Sequence, residues 1–162
     1  MNDKYLYIGY KKIADITNRE FKIETIDDRI RFQKIVYLLK FFNYKPAKEF
    51  DFNMYLHGPY SPDLAKLYYE NNEIDFSKAP KAKDIPKKVI EFIKEADDNG
   101  VEFLEALVTT LDFKKKDPDY KECIKRASKI KPYITENTWN RVLEFLNKNN
   151  TLITNYVIKE GY

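Results

Sequence analysis

Residues 25–44 read TIDDRIRFQKIVYLLKFFNY. Thr25 stands where a helix N-cap would, with Asp28 three residues on, close to the spacing of a capping box. Phe32, Ile35, Val36, Leu39 and Phe42 then recur at i, i+3, i+4 and i+7, the period of a buried helical stripe. Leu38 and Phe41 widen that stripe beyond one narrow seam. The stretch predicts a long helix at the centre of the fold, with Gln33 and Lys34 on its polar side.

Downstream the period changes. In EFDFNMYLH (49–57), Phe50, Phe52, Met54 and Leu56 alternate with Asp51, Asn53, Tyr55 and His57. Alternation predicts a half-buried strand, and a lone strand needs partners. EFKIE (20–24) and LITNYVIK (152–159) are the candidates, for a sheet of two or three short strands. The strand runs into MYLHGPYSPDL (54–64). Gly58 permits close backbone approach, and Pro59 pushes Gly58 away from helical angles. Ser61 and Pro62 have the chemistry of an N-cap and a first helical residue, and the free N–H groups of that first turn suit an anion or a carboxylate.

The rest is helical in period. Upstream, Leu6, Ile8, Tyr10, Ile13 and Ile16 share one side of a helix. Asp84 opens DIPKKVIEFIKEADDNG, which Asn99 and Gly100 close, and VEFLEALVTTLDF follows at once as an antiparallel mate. Asp117 and Pro118 open DYKECIKRASKIK, and Thr135 opens ENTWNRVLEFLNKNN with Trp139, Val142, Leu143 and Leu146 as its buried face. Residues 73–83 have the least pattern and read as a loop. The expected fold is mainly α (an α+β arrangement), about seven helices with a small two- or three-stranded sheet, in a single domain over 1–162.

Composition narrows the function. With 43% apolar and 15% aromatic residues in 162, the chain can bury a real core. No apolar run reaches the roughly 20 residues that span a bilayer, and the N-terminus lacks the apolar core of a signal peptide. A solitary Cys123 excludes an internal disulfide and fits a reducing, cytoplasmic setting. The net charge of +3, from 29 basic against 26 acidic residues, is too mild to argue for nucleic acid by itself. The basic runs at 78–88 and 114–131 keep a DNA-binding regulator as the alternative reading.

Catalytic signatures are scarce. Four glycines, at 9, 58, 100 and 161, cannot compose a phosphate-binding loop. One His and one Cys exclude the usual zinc ligand set, so no cofactor is expected. A nucleophilic triad would have to use His57, and no nucleophile-elbow pattern supports one. The acidic pair Asp27/Asp28 suits a helix N-terminus, whereas Asp97/Asp98 near a helix C-terminus have no account beyond solvation. The expectation is a non-enzyme.

The order RFQKIVYLLKFF then FDFNMYLHGPYSPDLAKLY resembles the YwgA-like family, whose members carry a KLQKLVYLL helix followed by an aromatic strand ending in YGPYSPEL. Phe32 to Leu39 and Gly58 to Leu64 carry the match, across roughly residues 25–70, and His57 stands where the family more often has Tyr. The pattern also resembles the Panacea antitoxin domain, sometimes phage-associated, and is similar to the C-terminal domain of the DarG antitoxins, which blocks a DNA-modifying ADP-ribosyltransferase toxin. The resemblance implies a non-catalytic module that neutralises or tethers a partner protein, a toxin in that example, in one case as a nucleic-acid mimic. At +3, mimicry would need a local acidic patch, for which Glu102, Glu105 and Asp112 are the candidates. The expected partner-binding residues are Tyr55, His57, Gly58, Pro59, Tyr60 and Ser61, with Gln33 and Lys34 either sharing in binding or holding the loop in shape.

Overall fold

A computed structural model describes residues 13–19, 22–70, 85–114 and 119–159. Residues 13–17 are helical and are the described part of α1. Helix α2, Ile26–Phe41, starts at the expected capping box: Thr25 Oγ1 accepts from Asp28 N at 3.0 Å and Asp28 Oδ2 accepts from Thr25 N at 3.1 Å. It stops because Asn43 turns to φ +64°. Tyr44 N then donates to Leu39 O at 2.8 Å and Asn43 N to Lys40 O at 3.0 Å, the double closure that satisfies the last carbonyls of a helix. A 3₁₀ turn, Lys45–Glu49, leads to strands β1, Asn53–Tyr55, and β2, Gly58–Tyr60.

Six helices follow among the described residues. Ser61 Oγ accepts from Leu64 N at 3.3 Å and so caps α3, Pro62–Glu70. Helices α4, Lys87–Asp98, and α5, Val101–Lys114, form the expected antiparallel pair. Gly100 at φ +95° makes the joint; a Cβ there would meet nothing, so only the backbone angle asks for glycine. Helix α6 is Tyr120–Ile130, α7 is Glu136–Lys148 behind its N-cap Thr135, and α8 is Asn150–Lys159. One hydrophobic cluster runs from Ile13 and Ile16 through α2 and α4–α7 to Ile153. The fold is mainly α with a small sheet, as the periodicity predicts, and none of the described helices is long and apolar enough to cross a membrane.

Several expectations are corrected. The centre belongs to α5 rather than to α2 alone: Phe103 to Leu111 are all buried, and α5 packs against α2, α4, α6, α7 and β2. Its threonines tolerate this because Thr109 and Thr110 donate to the carbonyls of Glu105 and Ala106 at 2.7 and 2.8 Å, satisfying their hydroxyls within the helix. Among the described residues the sheet has two strands, with Asn53 opposite Tyr60 and Tyr55 opposite Gly58. Residues 22–24 are not a strand and 152–159 are helical, so neither of these described segments pairs with the hairpin. The alternation from Phe50 to Leu56 does not track burial: Phe50 is buried, but Leu56 is 76% exposed. The chain reverses at Leu56–His57 instead of continuing as a strand.

The cap of α6 is Asp119, whose carboxylate accepts from Lys121 N at 2.9 Å; Asp117 and Pro118 lie outside the described residues, as do Asp84, the 73–83 loop and Leu6, Ile8 and Tyr10. Asp97 acquires an account. It is fully buried and takes a fork from Arg31, Nε to Oδ1 at 2.5 Å and Nη2 to Oδ2 at 3.2 Å. This charge-assisted pair ties the end of α4 to α2.

Candidate functional site

The hairpin β1–β2 sits on α2 and α5, and buried polar groups hold it there. Gln33 is 1% exposed, not on a polar face. Its Nε2 donates to Ser61 O and its Oε1 accepts from Ser61 N, both at 2.9 Å, so a side-chain amide stands in for a neighbouring strand. Lys34 is likewise 1% exposed, with Nζ donating to Pro59 O at 2.7 Å. Gly58 lies directly above. It takes φ +89°, and a Cβ there would fall 2.7 Å from Thr109 Oγ1 and 3.5 Å from Lys34 Nζ. Glycine is thus required by both backbone angle and space.

A second lysine grips the turn. Lys131, just past the end of α6, donates from Nζ to Tyr55 O at 2.8 Å and to Leu56 O. Tyr133 OH donates to Glu105 Oε1 and lies 3.1 Å from Leu56 O. Glu105 is the buried carboxylate among these groups, 3.8 Å from Lys131 Nζ and 3.6 Å from His57 Nδ1. Burial pushes the Lys34 ammonium down to about 7, Glu105 opposing and Lys131 adding to the fall. Burial also lowers Lys131, against the pull of Glu105. It raises the Tyr133 phenol, helped by the hydrogen bond to Glu105. The causes agree: removing water from a charge disfavours the charged form, and a nearby opposite charge restores it.

With its backbone held, the hairpin presents its side chains outward. Tyr55 is 50% exposed and stacks edge-on against Tyr60 at 5.3 Å between ring centroids. His57 and Tyr60 are half-buried, whereas Gly58, Pro59 and Ser61 are buried. Beside the hairpin runs an open groove of about 260 Å³. One wall is the face of α2 bearing Ile26, Arg29, Ile30, Gln33 and Lys34; the other is Tyr55, Leu56, His57 and Tyr60, with Tyr69 of α3 at one end. Ile26, Leu56 and Tyr69 are each more than half exposed. Exposed apolar residues gathered this way mark a contact surface more often than scattered ones do.

The eight residues expected from sequence therefore separate. Tyr55, His57 and Tyr60 stand on the accessible rim; Gly58, Pro59, Ser61, Gln33 and Lys34 form the mount beneath. Gln33 and Lys34 hold the loop in shape and also reach the groove wall. Sequence reading missed Ile26, Arg29, Leu56 and Tyr69, the anchors Lys131 and Tyr133, and the anchoring role of Glu105, which it assigned to an acidic patch. Ile26, Arg29, Ile30 and Gln33 do follow helical spacing along one side of α2, a legible signal. Nothing local distinguishes Lys131 from the basic run that ends at it. The acidic patch does not form: Glu105 is buried, Asp112 accepts from Tyr37 OH at 3.0 Å, and Glu102 accepts from Thr138 Oγ1 at 2.6 Å. Cys123 is fully buried. Among the described residues, no group of three or more His, Cys, Asp or Glu is placed to hold a metal. Comparison of the chain with protein-family models, curated proteins and solved structures found no match.

Proposed function

We propose that this chain is a non-catalytic binding module of the antitoxin type, docking a partner protein on the hairpin and its groove in the cytoplasm. The observation that carries the reading is the division of labour at the hairpin. The polar groups beneath it (Gln33, Lys34, Glu105 and Lys131) bind backbone or one another, while Tyr55 and Leu56 face water. A fixed backbone that exposes aromatic and aliphatic side chains loses little conformational entropy on docking, and Tyr is enriched in interface cores. The resemblance to YwgA-like and Panacea domains centres on the same residues and supports the same reading.

The test is co-expression with the products of adjoining genes. One that arrests growth alone should be neutralised and co-purify with this chain, and Leu56→Asp should abolish both effects while leaving the thermal midpoint within about 2 °C of wild type. Neutralisation that survives Leu56→Asp would refute the docking surface. A DNA-binding regulator is the second reading, because Lys121, Lys125 and Lys129 lie exposed along one side of α6. Duplex binding that falls steeply with salt, and that substitution of those three lysines removes, would favour it.

A further inference from the structure

We infer that the groove beside the hairpin receives an apolar side chain flanked by a carboxylate, supplied by an acidic–aromatic segment of the partner. This inference rests on the docking reading and adds the chemistry of what docks.

Size comes first. At about 260 Å³ and open to solvent, the groove falls below the ~300–1,000 Å³ of pockets that enclose small molecules. It suits inserted side chains. Ile26, Ile30, Leu56 and Tyr69 supply an apolar lining for one of them.

Charge comes second. Arg29, Lys34 and His57 all line the groove, and Lys131 lies behind the turn. The carboxylate facing them from α5 is Glu105, which is buried and already shared among Lys131, His57 and Tyr133. Asp27 and Asp28 lie on other sides of α2 than the groove-lining Ile26, Arg29 and Ile30, and Asp28 is engaged with Thr25. Arg29 is the standing cation of this wall; Lys34, which burial holds down to about 7, adds positive charge as the pH falls through that value, and the buried carboxylate is already engaged with Lys131.

Geometry comes third. Arg29 is half-buried and its Nη1 donates to the carbonyls of Ile23 and Glu24 at 3.0 and 3.2 Å. Those bonds fix the guanidinium, and among the described residues none takes its Nε or Nη2. A planar fork held from behind is suited to grip a carboxylate with two parallel hydrogen bonds. An anion here would also favour the protonated form of Lys34.

The test uses the intact chain, ¹⁵N-labelled, and three capped five-residue peptides with phenylalanine between two glutamates, two glutamines or two lysines. Titration by NMR should move the amides of Ile26–Lys34 and Tyr55–His57. The glutamate peptide should bind at least about fivefold more tightly than the glutamine peptide, as a partly desolvated ion pair requires. The lysine peptide should bind more weakly than both. Arg29→Gln should bring the glutamate peptide to the glutamine level, and Leu56→Asp should weaken every peptide. Equal affinity for glutamate and glutamine, a lysine preference, shifts confined to other surfaces, or no binding at all would each overturn the inference. A partner still neutralised by Arg29→Gln but not by Leu56→Asp would leave the docking reading standing and remove the charge preference.

Discussion

Replacing Glu105 by Gln removes one charge and almost no volume, so it isolates what the buried carboxylate does beneath the hairpin. Glu105 lies 3.8 Å from Lys131 Nζ. At an effective dielectric of about 20, that separation is worth ~4 kcal/mol, in line with the ~3–5 kcal/mol lost when a buried pair is broken from one side. The loss should depend on pH, with a definite sign. Lys34 sits at about 7 in the folded protein, below the ~10.4 of an unfolded lysine. Between those values the unfolded chain holds a proton that the folded one lacks, so native stability rises with pH across this window. Glu105 holds the folded value of Lys34 up; without it the value falls further. The added penalty is complete below the new value and vanishes above about 7. The other titratable groups around the carboxylate are Lys131, His57 and Tyr133. Urea unfolding followed by the fluorescence of Trp139 should show a loss of ~3–5 kcal/mol at about pH 6, smaller by ~1 kcal/mol or more at about pH 9. Equal losses at the two pH values, or a loss under ~1 kcal/mol at the lower one, would refute the reasoning.

Further substitutions test the mount and the core. Gly58→Ala should destabilise by ~2–4 kcal/mol from positive-φ strain and the clash with Thr109 Oγ1; adding Thr109→Ala should recover the clash portion, visible as a partly restored denaturant midpoint. Gln33→Leu leaves the N–H of Ser61 buried without a partner, while its C=O keeps the bond from Ala65 N at 3.1 Å; it should cost ~1–3 kcal/mol, with amide exchange at Ser61 accelerated. Asp97→Asn should lower stability by ~3–5 kcal/mol because Arg31 loses its buried partner. Asp98→Asn, next to it but half-exposed and 3.8 Å from Arg19, should stay within ~0.5 kcal/mol; thermal melts of the two variants side by side distinguish a buried pair from a solvated one.

The hairpin illustrates where sequence reading stops. Its existence was legible as a change of period and a Gly-Pro joint, but its partner strand was sought at residues 20–24 and 152–159. The actual partner begins after a two-residue turn, at Gly58, because Gly58 at positive φ lets the chain fold back at once. Leu56 carries the hydrophobicity of a core residue and stands in water. Alternation reports which side chains share a side of a strand, and only what lies against that side decides burial. Lys34 makes the converse point: a charged residue in a helix is expected at the surface, and this one is buried because a carbonyl from Pro59 and the field of Glu105 meet it there.

The amino-acid order alone determined helices α2 to α7, the capping at Thr25, Ser61 and Thr135, the mainly α class and the motif on which the site is built, whereas α8 carries an alternation that reads as a strand. These depend on residues a few positions apart, whose interactions form before any distant contact exists. Which polar residues go inside, that α5 holds the centre, and that the hairpin becomes a fixed apolar edge beside a cationic groove were decided by tertiary structure. The groups responsible, Gln33 with Ser61, Lys131 with Tyr55 and Arg31 with Asp97, lie 28, 76 and 66 residues apart. Burying any of them is unfavourable until the partner arrives, and no local pattern records which partner that will be.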